Sequence, residues 1–315
     1  MARAFVFPGQ GSQAVGMGQE LGASFAEARE VFEEIDESLG QNLSQLMFAG
    51  DPEELNLTAN TQPALMAVSV AVARVLEKQG GIDLGTHCSF VAGHSLGEYS
   101  ALTAAGAFDV SDCAKLLKLR GEAMQRAVPV GVGSMAAILG LSFEEVDAIA
   151  QDATQGEESC EAANDNSVGQ VVVSGHKAAV ERAVELASAQ GAKRAVIFPV
   201  SAPFHSKLMA PAAAEMRDAL ASATINAPVV PVVSNVTADA VRDPDAIRGL
   251  LVDQITGMVR WRESVLWMAE NGVSEMVELG TGKVLCGLVR RIDKEIATSN
   301  AGTPEEIEAL IAKMA

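Results

Sequence analysis

The chain has 315 residues, 49% of them apolar and 20% charged. That composition supplies a sizeable core for two domains, or for one large domain with an insertion, and is not that of a disordered chain. A net charge of −18 and only 4% aromatics exclude non-specific nucleic-acid binding, which needs a basic surface. The four cysteines, Cys88, Cys113, Cys160 and Cys286, are scattered and form no C-x-x-C pair. They read as reduced, buried thiols, with neither a metal site nor a disulfide framework.

The chain opens with "FVFPGQGSQA". Gly9 to Ala14 fits G-x-G-x-x-G/A, the phosphate loop of dinucleotide-binding folds, which requires a β-α-β unit of ~30 residues and an acidic residue ~20 positions on. Glu30 stands near that distance, but inside a helical pattern, and no second strand is evident before about Cys88. The loop therefore fails the context test. The opening apolar run is also too short for a signal peptide. The longest apolar segment, Ala64–Val75, falls short of the ~20 residues that span a bilayer. A soluble cytoplasmic protein is expected.

Ser24 and Glu27 spell a capping box for a helix carrying Phe25, Ala28, Phe32, Ile35 and Leu39, ended by Gly40. A buried helix follows, with Pro63 near its start and Gly80 at its end. "CSFVAGHSLGEYSALTAAGAF" reads as strand, tight turn and helix, and Ser111 as the cap of the next helix. From Gly133 to Val200 the order becomes β-α-β-β-α-β, the ferredoxin-like pattern. Beyond it, strand-like "PVVPVVSNV" and "SEMVELG" alternate with helix-like "PDAIRGLLVDQI" and "VLCGLVRRI". The expected architecture is one α/β domain with a mainly parallel sheet, residues 1–130 and 201–315, interrupted by a small insertion, residues 131–200.

Gly93-His94-Ser95-Leu96-Gly97 fits G-x-S-x-G between a strand and a helix, the setting of a nucleophile elbow. Such a turn presents the serine hydroxyl at a helix N-terminus, where the Leu96 N–H is placed to bind a developing oxyanion. A serine needs a base to become a good nucleophile. Among four histidines, His205 lies where the chain returns from the insertion to the larger unit, at an expected cleft, and is the candidate. His94 adjoins Ser95, but neighbouring side chains in a tight turn point apart. Arg120 falls on the apolar face of its helix, among Ala114, Leu117 and Met124. A guanidinium there needs a partner. That partner is either an internal carboxylate or the carboxylate of a substrate.

"FVFPGQGSQ", "TQPAL", "AGHSLGEYSAL", "RGEAMQ" and "NAPVVPVVSNV" together resemble the malonyl-CoA:acyl carrier protein transacylases of fatty-acid synthesis, relatives of polyketide-synthase acyltransferase domains. The resemblance runs through nearly the whole chain, whose length and first methionine look like the free-standing form. It implies an α/β-hydrolase-like large domain with a ferredoxin-like insertion. It makes Ser95 the acylated nucleophile, His205 its base and Arg120 the ligand of the malonyl carboxylate. The backbone N–H groups of Gln10 and Leu96 would form the oxyanion hole. Gln254, which otherwise reads as a surface helix residue, would orient His205 through its backbone carbonyl, so that no acidic third member is needed. Phe204, before the histidine, goes with malonyl selection, and with Met124 is assigned to the substrate site. No permanently bound cofactor is implied: malonyl-CoA is the substrate, and the phosphopantetheine belongs to the acyl carrier protein. That partner is acidic, so it would dock on a local basic patch: Lys115 and Lys118, Lys193 and Arg194, or Arg290, Arg291 and Lys294. A monomer is expected.

Two other readings stand beside this one. A serine esterase or thioesterase would use water in place of the carrier, and the elbow alone does not exclude it. A non-catalytic carrier-binding scaffold sits poorly with an intact Ser95, His205 and Arg120. "GTGKVL" is not a phosphate loop, because Val284 stands at the Ser/Thr position. Asn164, Asp165 and Asn166 read as a turn between two strands of the insertion.

Overall fold

A computed structural model of the chain describes residues 2–200 and 202–314. The expected domain boundary at 201 and both chain ends fall outside that range.

Among the described residues ten strands form two sheets. In chain order they are β1 (Ala2–Phe7), β2 (Phe90–Gly93), β3 (Gly133–Leu139), β4 (Cys160–Ser167), β5 (Gln170–His176), β6 (Arg194–Ile197), β7 (Val232–Val233), β8 (Ala240–Val241), β9 (Val273–Leu279) and β10 (Ala297–Ala301). The six-stranded sheet runs β10-β9-β1-β2-β7-β8 and is parallel except at the β7–β8 edge. Its central strand explains the order: Ala4, Phe5, Val6 and Phe7 are all buried, the near-continuous apolar run of a strand covered on both faces. The four-stranded sheet runs β4-β5-β3-β6 and is antiparallel throughout. The helices Phe143–Ala153 and Lys177–Ala189 pack on it around Ile138, Val146, Val171 and Val180.

The helix Thr58–Gly80 is buried almost all round and forms the centre of the larger core. It starts five residues before Pro63. Pro63 therefore lies inside the helix, in its second turn, and withholds the N–H that would otherwise donate to the Ala59 carbonyl.

Three local expectations need correction. Ser24 does not cap the second helix: Phe25 is the N-cap of Ala26–Leu39, no side chain closes it, and Ser24 ends a preceding helix, Gln19–Ser24. Ser111 lies inside the helix Val110–Arg126, whose N-cap is Asp109. Asn164, Asp165 and Asn166 are not a turn but buried positions of β4; the turn comes after, at Val168 and Gly169.

This part of β4 is tied to Val259 and to the helix Trp261–Glu270, outside the larger sheet. Val259 donates to the Ala163 carbonyl at 2.9 Å, and the Asp165 N–H donates to Val259 at 3.0 Å. Arg262 pairs with the Asp165 carboxylate at 2.8 Å. The helix Leu96–Ala104 follows β2 directly, and the helix Val110–Arg126 packs closely on Thr58–Gly80. The elbow and the arginine helix therefore both face the junction between the sheets.

Candidate active site

The elbow forms because two glycines leave room for it. A Cβ on Gly93 would lie 1.9 Å from the carbonyl carbon of Gly97, and one on Gly97 would lie 2.2 Å from the carbonyl oxygen of Phe7. Strand β2, the helix start and the end of β1 thus touch through bare backbone. Ser95 takes φ 53° and ψ −113°, a conformation that costs a non-glycine residue about 1–3 kcal/mol. The Ser95 N–H donates to Asn235 Oδ1 at 2.7 Å, and Asn235 Nδ2 donates to the Gly93 carbonyl at 2.7 Å. One buried asparagine holds the turn on both sides.

Ser95 Oγ lies 2.8 Å from His205 Nε2. His205 Nδ1 lies 2.9 Å from the Gln254 carbonyl and 3.2 Å from that of Gly257. Carbonyls only accept, so Nδ1 carries the proton and Nε2 presents its lone pair to the serine. Burial, reinforced by the Arg120 charge, lowers the His205 pKa to about 3. The imidazole is neutral throughout the physiological range, with its Nε2 lone pair free to accept from the serine hydroxyl.

Arg120 is 1% exposed. Nη1 donates to Gln62 Oε1 at 2.8 Å, and Nη2 donates to Gln254 Oε1 at 2.9 Å and to Ser95 Oγ at 3.3 Å. The guanidinium also lies 5.6 Å from the Tyr99 ring centroid. Among the described residues these partners are all neutral, and Nε has none. A buried cation held only by amides, a hydroxyl and a ring face has its geometry fixed and no counter-ion in contact with it. Of the two partners considered for Arg120, no internal carboxylate among the described residues pairs with it.

A cavity of about 340 Å³ opens at this point. Ser95, His205, Arg120, Gln10, Leu96, Phe204 and Met124 all line it, and Met135, Val172 and Phe198 close the side formed by the smaller sheet. Leu96 is the first residue of its helix, so its amide has no acceptor within the helix. The opening glycine loop therefore borders the serine pocket. Gln254 does not line the cavity. It is 0% exposed, not a surface residue, and stands behind the site. Besides its carbonyl, its side chain serves: Nε2 donates to the Ser95 carbonyl at 3.0 Å and to Glu98 Oε2 at 2.8 Å.

His94 points away from the Ser95 hydroxyl, with Nε2 2.7 Å from Asn166 Oδ1, though it shares the cavity wall. Asn235, Glu98, Gln62 and Asn166 were not singled out as site residues from the sequence. Glu98 is 2% exposed, and burial raises its pKa to about 7 against the hydrogen bonds from Asn235 and Gln254. Of the basic patches, Lys118 is occupied, donating to Gln41 and Asn60. Arg290 and Arg291 donate to Thr298 and Gln170. The four cysteines are free, and burial raises each thiol to about 12. None is a competing nucleophile at neutral pH.

A family model described as the acyl transferase domain matches residues 4–301. The chain belongs to the acyl transferase family. Among its relatives, the malonyl CoA-acyl carrier protein transacylase of Escherichia coli K12 is 47% identical over 308 residues, 98% of each chain. The protein of the same name from Bacillus subtilis 168 is 46% identical, over 98% of this chain and 96% of its own. The crystal structure of the acyl-carrier-protein S-malonyltransferase from Bartonella henselae superposes with a TM-score of 0.97 at 54% identity, covering 100% of this chain and 99% of that one. A malonyl-transacylase in complex with its type II PKS acyl-carrier protein superposes at 0.95 with 42% identity, covering 99% and 100%. The mixed α/β fold, with a mainly parallel sheet and a separate antiparallel one, is that of these acyl transferases.

Proposed function

We propose that this acyl transferase moves a malonyl group from malonyl-CoA to the phosphopantetheine thiol of an acyl carrier protein. The observation that carries the reading is Arg120: a buried guanidinium with no carboxylate partner among the described residues, 3.3 Å from Ser95 Oγ. An acyl group attached there and ending in a free carboxylate supplies the missing charge. The names of the Escherichia coli and Bacillus subtilis relatives point the same way.

In the proposed ping-pong cycle, His205 Nε2 takes the Ser95 hydroxyl proton as Oγ attacks the thioester carbon. The negative charge on the tetrahedral oxygen falls to the Gln10 and Leu96 amides. The Gln254 and Gly257 carbonyls stabilise the imidazolium that forms, the task an acidic residue performs in other triads. Collapse expels CoA as its thiol, with the proton returned by His205, and leaves malonyl-Ser95. The carrier's thiol then attacks the ester, again deprotonated by His205, and regenerates Ser95. Arg120 holds the carboxylate through both halves, while Phe204 and Met124 bound the acyl pocket. The carrier brings its own phosphopantetheine, so the cycle uses no resident cofactor.

The same reading divides the chain into an α/β-hydrolase-like unit, residues 1–130 and 201–315, and a ferredoxin-like insertion, residues 131–200. The β-α-β-β-α-β order and the β4-β5-β3-β6 sheet support the second. It also takes the chain as a cytoplasmic monomer; no helix among the described residues is long and apolar enough to cross a membrane.

The test is product analysis with malonyl-CoA, with and without acyl carrier protein. Malonyl-carrier forming in step with CoA release, and little free malonate without carrier, is expected. Free malonate released at the same rate in both reactions would make the chain a thioesterase.

A further inference from the structure

Glu98 is buried beneath the site, and among the described residues no cation touches it. Its Oε2 accepts from the Asn235 N–H at 3.1 Å and from Gln254 Nε2 at 2.8 Å. Its shortest hydrogen-bonded route to Arg120 runs through the Gln254 side chain. Nε2 of that amide donates to Glu98, and its Oε1 accepts from Arg120 Nη2 at 2.9 Å.

A primary amide has one donating end and one accepting end, and a carboxylate, once ionised, only accepts; with its pKa raised to about 7 by burial, Glu98 is in that form on the alkaline side of neutrality. Glu98 therefore joins the Ser95 carbonyl, which also accepts from Nε2 at 3.0 Å, in fixing which way Gln254 faces. With the NH₂ end held by the carboxylate, the oxygen is presented to the guanidinium. Reversed, the amide would set donor against donor and push Arg120 out of line with Ser95. The distance matters as well. A carboxylate directly on Arg120 would close the ion pair, as Asp165 does with Arg262. One amide farther back, it orients the arginine without forming a contact ion pair and acts on its charge only at a distance.

We propose that Glu98 is a positioning residue for acyl selection: acting through the Gln254 amide, it holds Arg120 aimed at the acyl group on Ser95 without neutralising it. This rests on the reading of Arg120 as the ligand of the substrate's free carboxylate.

The experiment compares kcat/KM for transfer from malonyl-CoA and from acetyl-CoA to acyl carrier protein, in the full chain, for Glu98→Gln, Arg120→Ala and the double variant. Glu98→Gln is expected to lower the malonyl-over-acetyl preference about tenfold or more, the scale of one hydrogen bond to a charged group, with acetyl transfer held within about threefold. In the Arg120→Ala background the same substitution is expected to leave the ratio unchanged, because its effect passes through the arginine. Equal loss with both substrates would make Glu98 merely structural and overturn the proposal. So would an unchanged ratio in Glu98→Gln beside a collapsed one in Arg120→Ala, which leaves the carboxylate clamp standing. An unchanged ratio in Arg120→Ala itself would remove the clamp and this inference together. If Glu98→Gln does not fold, Glu98→Asp withdraws the carboxylate by one methylene with its charge intact. The same fall in preference is expected, and an unchanged ratio overturns the proposal.

Discussion

Two helices in this chain begin with the same spelling, Ser-x-x-Glu, and use it differently. At Ser142 the box closes: Ser142 Oγ accepts from the Glu145 N–H at 3.3 Å, and the Glu145 carboxylate accepts from the Ser142 N–H at 2.7 Å. The serine is extended, with φ −69° and ψ 165°. At Ser95 none of this happens. The backbone is left-handed, the hydroxyl goes to His205, the N–H goes to Asn235, and the Glu98 carboxylate turns inward to Asn235 and Gln254. The local rule is set aside at the helix where tertiary partners claim every one of its groups. Such departures mark functional positions more often than ordinary ones.

The contrast can be broken most strongly at Arg120, the guanidinium that shares the Ser95 hydroxyl. Arg120→Ala is expected to lower kcat/KM for malonyl transfer ~100-fold or more, the scale of a charge-assisted pair of hydrogen bonds, while acetyl transfer is spared. Steady-state rates with the two thioesters check this; equal losses would detach Arg120 from acyl recognition.

The pH dependence is the next largest effect. An ordinary histidine would be about nine-tenths protonated at pH 5.5, but burial and the Arg120 charge lower the His205 pKa to about 3. The rate of Ser95 acylation is therefore expected to show no acid limb near pH 6.5. In Arg120→Ala, which removes the second cause, the limb should move upward. The sign for stability follows: the native state excludes a proton that the unfolded chain binds, so this contribution is full above about pH 6.5 and is lost as pH falls toward 3. Stopped acylation rates and denaturant midpoints across pH 4–8 measure both.

The smallest effect is at the closed box. Ser142→Ala is expected to destabilise the fold by about 1 kcal/mol, the usual worth of an N-cap, with activity unchanged. Ser95→Ala removes no cap and keeps the strain at φ 53°, since alanine also carries a Cβ, and is expected to leave stability within about 0.5 kcal/mol of native. A Ser95→Ala loss as large as that of Ser142→Ala would erase the distinction.

Much of the site is legible in the sequence. The elbow is readable because its glycines answer a packing demand, and Arg120 because helical periodicity puts a charge among apolar residues. His205 follows from its place at the return of the chain. What is not legible is what reaches the site from far away in the chain. Gln254 sits in a helix whose pattern does not mark it, yet it is buried because Pro244–Thr256 packs behind Ser95. Asn235 meets the Ser95 N–H from 140 positions away, and no local period encodes such a contact. The cap readings at Ser24 and Ser111 fail for a related reason. Short polar residues near a helix start compete for the cap, and Phe25 and Asp109 take it. The "PVVPVVSNV" run forms a strand of just two residues, Val232 and Val233, beyond which Asn235 holds the elbow.

The central claim is that Ser95 carries the acyl group. The most direct measurement is the intact mass of the protein after brief exposure to malonyl-CoA without carrier, followed by mapping of the adduct. The account predicts a single malonyl adduct on the peptide containing Ser95, absent from Ser95→Ala and discharged by added acyl carrier protein. An adduct on another residue, or one that persists in Ser95→Ala, would contradict it.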